Sequence, residues 1–536
     1  MSKLKEEIKS ILEKSSIDRN IIELKDLPDP TLIPNLSLAA NRIIERLNNG
    51  DKLLIVGDYD CDGIAGTTIV KDFFNKLGYE SVVDYIVPDR FVDGYGVSIN
   101  MINYAIDNMF DFIVTVDNGI GAYDAIEYAN KKGVEVIITD HHTVGEKIPN
   151  ASIIVNLKYE QGNFPFLEIS GATVAWYLCS QINRSLNANI DMKQWLDLVG
   201  ITVISDVMPL KSLNVSLARY AIKAIKNKSR FLFELVFDFN DRKHLNESDI
   251  GFKFVPMINA VGRLDHAKNA IEILLSNDKT FVREGYHYLV ETNNRRKKLT
   301  QELLSSIIDQ AEEQAENRNK AIIVKSEGLH EGIVGILAGK LAEKYMRPAY
   351  VFGYNHAKKC WKGSGRTSGS VNLYKLTKKA ESEVIGFGGH AGAVGVALSE
   401  ENLDKWSKII CHEAEKIEGK DFLPLGENPI EVQLSDIDND LLSLLDQYRP
   451  FGEGFPSPVF KSNVFLSITD SYTDGLHSKC IIIDNEGTSA QAWFFHDRNI
   501  SLYNNQEVKA ILNPVKTHTK QGEIIAFHGE INYLDR

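Results

Sequence analysis

Apolar residues in the first 210 positions follow two alternating spacings. Leu53-Leu54-Ile55-Val56 is an unbroken apolar run. The polar stretch Asp58-Tyr59-Asp60-Cys61-Asp62-Gly63 follows it, and then Ile64, Ala65, Ile69, Val70, Phe73 and Phe74 recur at helical intervals. A short unbroken run predicts a strand buried on both faces, and the wider spacing predicts a helix packed on it. The pair recurs, with strands expected at Ser81–Val87, Phe112–Val116 and Val134–Ile138 and helices at Val97–Met109 and Gly121–Lys132. Strands alternating with helices predict a parallel sheet. Trp195–Ile204 reads as a further apolar helix, and Met1–Lys14 as an amphipathic helix rather than a signal peptide.

Beyond Leu210 the texture changes twice. Helical patterns run to about Arg318 and end in one long stretch, Thr280–Asn317, expected to connect two globular parts. It contains the basic cluster Asn293-Asn294-Arg295-Arg296-Lys297-Lys298, readable as a solvated helix face or as the lining of a gap. A second α/β unit starts at Ala321-Ile322-Ile323-Val324, with a helix over Glu331–Lys344 and a strand at Ala349–Phe352. Gly363-Ser364-Gly365-Arg366-Thr367 and Gly386-Phe387-Gly388-Gly389-His390 read as its two Gly-rich loops, whose bare N–H groups and guanidinium suit phosphate. From Asn428, short runs at Val464–Leu466, Cys480–Ile483, Gln491–Phe495, Val508–Leu512 and Ile524–Phe527 predict a small barrel of OB-fold type. Tyr472, Trp493, Phe494 and Phe495 are its candidates for stacking on bases. The expected fold class is therefore α/β: a parallel-sheet domain (1–208), a helical connector (209–318), a smaller second α/β domain (319–422) and a C-terminal β-barrel (423–536).

Composition narrows the partners. Net charge is -13 over 536 residues, which excludes coating nucleic acid by bulk charge and requires a local basic patch for any such binding. Five scattered cysteines without a CxxC pair fit a reducing cytoplasm rather than disulfides or a zinc knuckle. No apolar run is long enough to span a bilayer.

The chemistry gathers where the strands end. Parallel strands place their carboxyl ends on one edge, so Asp60, Asp117 and Asp140 are expected to converge there. Acids crowded this closely repel one another, and a hard divalent cation relieves that repulsion. The pair His141-His142 directly after Asp140, and Ser205-Asp206 after the apolar helix, strengthen a metal site over an acidic turn.

Asp58-x-Asp60-x-Asp62-Gly63, Val116-Asp117-Asn118-Gly119, Asp140-His141-His142 and Ser205-Asp206 occur in that order. Together they resemble the motifs of the DHH phosphoesterase superfamily, and within it the RecJ family of single-strand-specific DNA exonucleases. The narrower match rests on Pro88-Asp89-Arg90 leading to Gly94-Tyr95-Gly96, on Ile258-Asn259-Ala260-Val261-Gly262-Arg263, and on His330-Glu331-Gly332-Ile333-Val334-Gly335. It continues in Gly363-Ser364-Gly365-Arg366 and Gly388-Gly389-His390-Ala391, so it spans about Leu53 to the C-terminus. Cys61 stands where the family usually has Ala, as a thiol between ligands open to oxidation.

The resemblance implies a two-metal nuclease using Mn²⁺ or Mg²⁺. Asp60, Asp62, Asp117, His141 and Asp206 would bind the ions, with Asp117 bridging them and Asp58 supporting. His142 would meet the scissile phosphate. Arg90, Tyr95, Arg263, Ser364, Arg366 and His390 would bind substrate. It also implies 5′→3′ degradation of single-stranded DNA to mononucleotides in repair and recombination, with a helicase and a single-strand-binding protein as partners. Two other readings compete: a DHH phosphodiesterase acting on short oligonucleotides or cyclic dinucleotides, which would not need the barrel, and a non-catalytic relative that binds DNA or a helicase, which would lose metal ligands.

Overall fold

The unbroken apolar runs become the inner strands of a five-stranded parallel sheet. In the computed structural model, β1 (Leu53–Val56), β2 (Val83–Ile86), β3 (Phe112–Val116), β4 (Glu135–Thr139) and β5 (Ile153–Val155) lie in the order β2-β1-β3-β4-β5. The structure describes every residue except 1–2, 17–18, 20–21, 95, 423–428, 473–476, 496–497, 520–521 and 532–536. All residues of β1 and β3 are buried, as runs covered on both faces must be. Alternate residues serve the two faces. Leu54, Val56, Ile113 and Ile138 pack on the helices Ile99–Asp107 and Tyr123–Lys132. Leu53, Ile55, Val114 and Val116 face Leu36–Asn48, Cys61–Lys76 and Gly171–Leu186. β5, only three residues long, had no periodic signature in the sequence.

The connector ends in one 38-residue helix, Lys279–Glu316, about 57 Å long. Val282 and Leu289 near its start belong to the core of the first domain; Ile307 and Ala311 near its end belong to the second. The second domain has β6 (Ile322–Ser326), β7 (Ala349–Asn355), β8 (Cys360–Arg366), β9 (Val384–His390) and β10 (Ala393–Leu398), in the order β6-β7-β8-β10-β9. The two Gly-rich segments, expected as loops, are the strands β8 and β9. The reason is steric. A Cβ on Gly363 would lie 2.3 Å from the Phe352 ring, and one on Gly365 2.6 Å from the Tyr350 ring. These glycines let bulky rings of β7 lie against the neighbouring strand. On the opposite face Gly388 and Gly395 pair across β9 and β10 with open space above them, and Ser364 continues that row on β8.

The C-terminal strands β12 (Phe460–Tyr472), β13 (His477–Asp484), β14 (Ser489–Phe495), β15 (Gln506–Thr519) and β16 (Gly522–Ile531) follow the two-residue β11 (Ile430–Glu431). Pairing of β12 with both β13 and β15 closes them into a five-stranded barrel. Its core is continuous with that of the first domain. Buried Arg19 pins the junction: its guanidinium lies 3.7 Å from the centre of the Phe455 ring and donates to the carbonyls of Leu210, Tyr448 and Pro450.

Close helix packing in the first domain gives a stability test. A Cβ on Gly200, in Leu196–Ser205, would meet the Leu217 carbonyl at 2.1 Å and Ala221 at 2.5 Å, in the helix Ser212–Lys226. Gly200→Ala should cost about 1–3 kcal/mol by overpacking. Gly395→Ala, with nothing within 4 Å, should stay within about 0.5 kcal/mol of wild type. Urea denaturation of both variants checks the contrast.

Candidate functional site

The carboxyl edge of the first sheet gathers the acidic motifs, and the local backbone shows why they sit there. Asp60 caps the helix Cys61–Lys76, accepting from the N–H groups of Asp62 (3.0 Å) and Gly63 (3.2 Å). Asp62 is held by the next helix: Gly171 N–H donates to one of its oxygens at 2.7 Å and Ala172 N–H to the other at 2.9 Å. Helix N-termini offer unsatisfied donors and a positive dipole end, so they stabilise this buried charge. Asp117 follows β3 in the left-handed region at φ 63°. The helix start presses so close that a Cβ on Gly171 would lie 2.3 Å from Asp117 Oδ1. Asn118 ties this turn to β1 by donating to the Gly57 carbonyl at 2.6 Å.

Three overlapping groups result: Asp58, Asp60 and Asp117; Asp62, His141 and Asp206; and Asp117, His141 and His142, with the donor atoms of each group within 4.8 Å of one another. His141 Nε2 lies 3.1 Å from Asp117 Oδ1, 3.4 Å from Asp206 Oδ2 and 3.7 Å from Asp62 Oδ2. Asp117 Oδ1 and His141 Nε2 are buried with no hydrogen-bond partner among the described residues. Buried polar atoms are rarely left so, and oxygen donors with one imidazole suit a hard divalent cation such as Mn²⁺ or Mg²⁺. The structure thus brings together all six residues expected from the sequence to hold metal, and Asp117 is common to two of the groups.

Electrostatics give the same picture. Burial, then the neighbouring Asp60, pushes the carboxyl of Asp58 up to about 8 and that of Asp62 up to about 7. Burial, then Asp62 and Asp60, pushes Asp206 up to about 8, and Asp117 is raised well above the usual range by the same causes. His141 is lowered to about 3 by burial and by His142.

Asp140 does not converge with the other acids. Its oxygens are saturated by the N–H groups of Ile120 (2.9 Å), His141 (2.7 Å) and His142 (3.0 Å), and by His142 Nδ1 at 2.8 Å. It acts on its neighbour instead. Burial opposes charge on His142, yet the Asp140 bond raises it to about 9. Cys61 is buried and its thiol is pushed up, first by burial, so oxidation through its thiolate is disfavoured, against the sequence expectation.

Near these acids is a group of guanidiniums, with Arg90 in electrostatic reach of Asp58 and of Arg263. Arg90 stacks 4.0 Å over the Tyr59 ring. Arg263 donates to the Gly332 carbonyl of the second domain at 3.2 Å. Arg366 holds Ser364 Oγ at 2.8 Å and the Gly365 carbonyl at 2.7 Å, beside Gly335 at the start of the helix Val334–Tyr345. Arg296 turns inward to Asn293, whereas Lys297 and Lys298 are solvated. Burial, then Arg90, Arg366 and Arg296, lowers Arg263 to about 9. Among the described residues none of these four arginines has a carboxylate partner. His390 ends β9, level with Arg366 across β10. Tyr95 lies outside the described residues. On the barrel, strand alternation separates the aromatic candidates. Phe494 is core, while Tyr472, Trp493 and Phe495 form a stack on the outer face with ring centres 5.7 and 6.0 Å apart.

Asn259, whose side chain accepts from Cys61 N–H at 2.8 Å, and Asp140 are the site residues whose roles spacing alone missed. The signal for Asp140 was its position just before two histidines.

Three family models match in the order of the three folded parts: the DHH family N-terminal domain over residues 52–202, the DHHA1 domain over 318–416 and the RecJ OB domain over 430–528. In these three domains the chain is similar to the RecJ family of DHH phosphoesterases. The single-stranded-DNA-specific exonuclease RecJ of Bacillus subtilis is 32% identical over 82% of this chain, which spans 56% of that relative. The Haemophilus influenzae RecJ is 27% identical over 91% of this chain and 88% of its own length. The fold is that of Thermus thermophilus RecJ in complex with Mn²⁺, with a TM-score of 0.77 at 22% identity over 98% of this chain and 77% of that one.

The raised carboxyls predict a pH dependence of fixed sign. Asp58, Asp62 and Asp206 bind protons more tightly folded than unfolded, so the metal-free protein should lose stability as pH rises from about 4 toward 8. Mn²⁺ must displace those protons, so its stabilisation should grow from about pH 6 to pH 8. Calorimetric melting with and without Mn²⁺ at several pH values measures both trends, and a metal-induced shift that is flat with pH would contradict them.

Proposed function

We propose that this chain is a 5′→3′ exonuclease that hydrolyses single-stranded DNA to 5′-mononucleotides, in DNA repair and recombination. The observation that supports this reading is the conjunction of two features: buried acids sharing Asp117, and Arg90, Arg263 and Arg366 in electrostatic reach of one another with no carboxylate partner among the described residues. The first suits two divalent ions, and the second suits the phosphates of a strand lying between.

In this reading Asp60, Asp62, Asp117, His141 and Asp206 hold the metals, with Asp117 shared and Asp58 supporting. Mn²⁺ or Mg²⁺ bound there would supply hydroxide near neutral pH and offset charge on the reacting phosphate. His142, held charged by Asp140, donates to the scissile phosphate and can protonate the leaving 3′-oxygen. Arg366, Ser364 and Arg90 take the terminal 5′-phosphate, because a guanidinium fork with hydroxyl and backbone donors matches its oxygens. Arg263, Tyr95 and His390 contact the rest of the strand. The roles divide over the segments 1–208, 209–318, 319–422 and 423–536 as catalytic domain, connector, phosphate-binding domain and strand-binding barrel. The exposed aromatic stack on that barrel favours a long strand over a dinucleotide substrate. A helicase and a single-strand-binding protein in the cytoplasm would deliver and present such strands.

Asp117→Asn tests the shared ligand. Asn tolerates the left-handed backbone at this position, so the fold should survive, and removing a buried, repelled carboxylate should leave metal-free melting unchanged or raised. Cleavage should fall roughly a thousandfold or more. Near-normal turnover at saturating Mn²⁺ would remove the two-metal reading.

Arg366→Ala tests the terminal-phosphate pocket. The variant should lose more kcat/KM on 5′-phosphorylated single strands than on 5′-hydroxyl ones, by about tenfold for a charge-assisted contact. Equal losses on both would make Arg366 a general DNA contact or a structural tie to Ser364.

A further inference from the structure

The strand order β2-β1-β3-β4-β5 spreads the side chains of the carboxyl edge into a row. Arg90 follows β2, the aspartates follow β1 and β3, and the histidines follow β4. One further group completes the row: Lys158, three residues past β5. Its backbone is fixed by buried Asn156. That side chain donates to the His142 carbonyl at 3.0 Å and accepts the Lys158 N–H at 2.8 Å. The ammonium is part-buried, 3.2 Å from the half-exposed carboxylate of Glu168. It is close enough to disfavour charge on His141 and His390 and to favour the ionised form of Asp206. Arg90 acts at the other end of the row, on Asp58 and Arg366. Cations therefore flank the acids on both sides.

The opposite wall repeats this arrangement. Arg366 on β8 and His390 on β9 both pair with Ala393 of β10, so they stand two strand spacings apart, about 9.6 Å. Arg366 faces the Arg90 end and His390 is within electrostatic reach of Lys158. A strand with its terminal phosphate at Arg90 and Arg366 and its scissile phosphate over the acids must carry its next phosphate toward β5. Lys158 is the cation waiting there. Glu168 is half-exposed and its pairing with Lys158 is partly screened by solvent, so a phosphate can take the ammonium from it.

We propose that Lys158 is a substrate-binding residue that, with His390 across the cleft, takes the phosphodiester on the 3′ side of the scissile bond, so that the strand runs along the sheet edge from β2 to β5. This rests on the single-strand exonuclease reading above and adds to it a third phosphate subsite and a direction.

The test is binding of 5′-phosphorylated di- and trithymidylate to the full chain in the absence of metal, followed by fluorescence. The dinucleotide carries only the terminal and scissile phosphates; the trinucleotide adds the one assigned to Lys158. Lys158→Met should raise the Kd of the trinucleotide about fivefold and leave that of the dinucleotide unchanged, and Lys158→Arg should restore it. On longer oligothymidylates the slope of log affinity against log salt should become shallower by about 0.7, the share of one single-strand phosphate. Equal weakening on both short ligands, or none on either, would overturn the assignment. Wild-type protein that binds the trinucleotide no better than the dinucleotide would overturn the third subsite directly. Wild-type protein that binds neither these nor long single strands would instead overturn the exonuclease reading on which it rests.

Discussion

Repulsion among carboxylates held out of water is the constraint on which the rest of this structure depends. Asp58, Asp62 and Asp117 are almost wholly buried, and Asp60 and Asp206 stand beside them. Like charges this close in a low-dielectric setting disfavour one another strongly. Part of that cost is met by the protein itself. The first N–H groups of Gly171–Leu186 donate one bond to each oxygen of Asp62, and those of Cys61–Lys76 donate to one oxygen of Asp60. Among the described residues no hydrogen-bond donor reaches Asp117 Oδ1, so the cluster is left with a demand for positive charge that bound cations would satisfy. Such a site exchanges folding stability for function.

Holding the acids so tightly also dictates where side chains must be missing. Gly171 gives way to Asp117, Gly63 to Asp58 and Gly262 to the Tyr59 carbonyl. Gly332, in turn, lies against the Arg263 carbonyl and brings the second domain to the connector. These contacts form a continuous line from the acidic loop through the helix Val255–Leu264 to Gly332 of the second domain. The separation between acids and guanidiniums is therefore set by backbone packing rather than by flexible side chains.

Much of this was legible in the sequence because it rests on local periodicity. The runs at Leu53 and Phe112 could only be strands buried on both faces, and the aspartates after them had to share an edge. What escaped was set by tertiary contact. β5 is too short to carry a period, yet it positions Lys158. The segments around Gly363 and Gly388 have turn-like composition, but their glycines are there to accommodate the rings of Tyr350 and Phe352 or to leave a sheet face open. Asp140 looked like one more acid converging on that edge, because nothing in its spacing reveals that four donors already surround it. The four aromatics of the barrel looked alike until strand alternation sent Phe494 inward and the others out.

The open face of the second sheet has one more consequence. Gly386, Gly388 and Gly395 lie there with nothing above them, and Ala393 and Ala397 share that face. A strip of glycine and alanine offers little to grip a particular base or sugar. In the proposed reading, a sugar–phosphate chain advancing over it by one repeat would meet nearly the same contacts as before, so its free energy would change little from step to step. Such a landscape would have low barriers to translocation and no built-in pause sites. Pausing would then be governed by chemistry and by the flanking cations, with little dependence on the sequence being consumed.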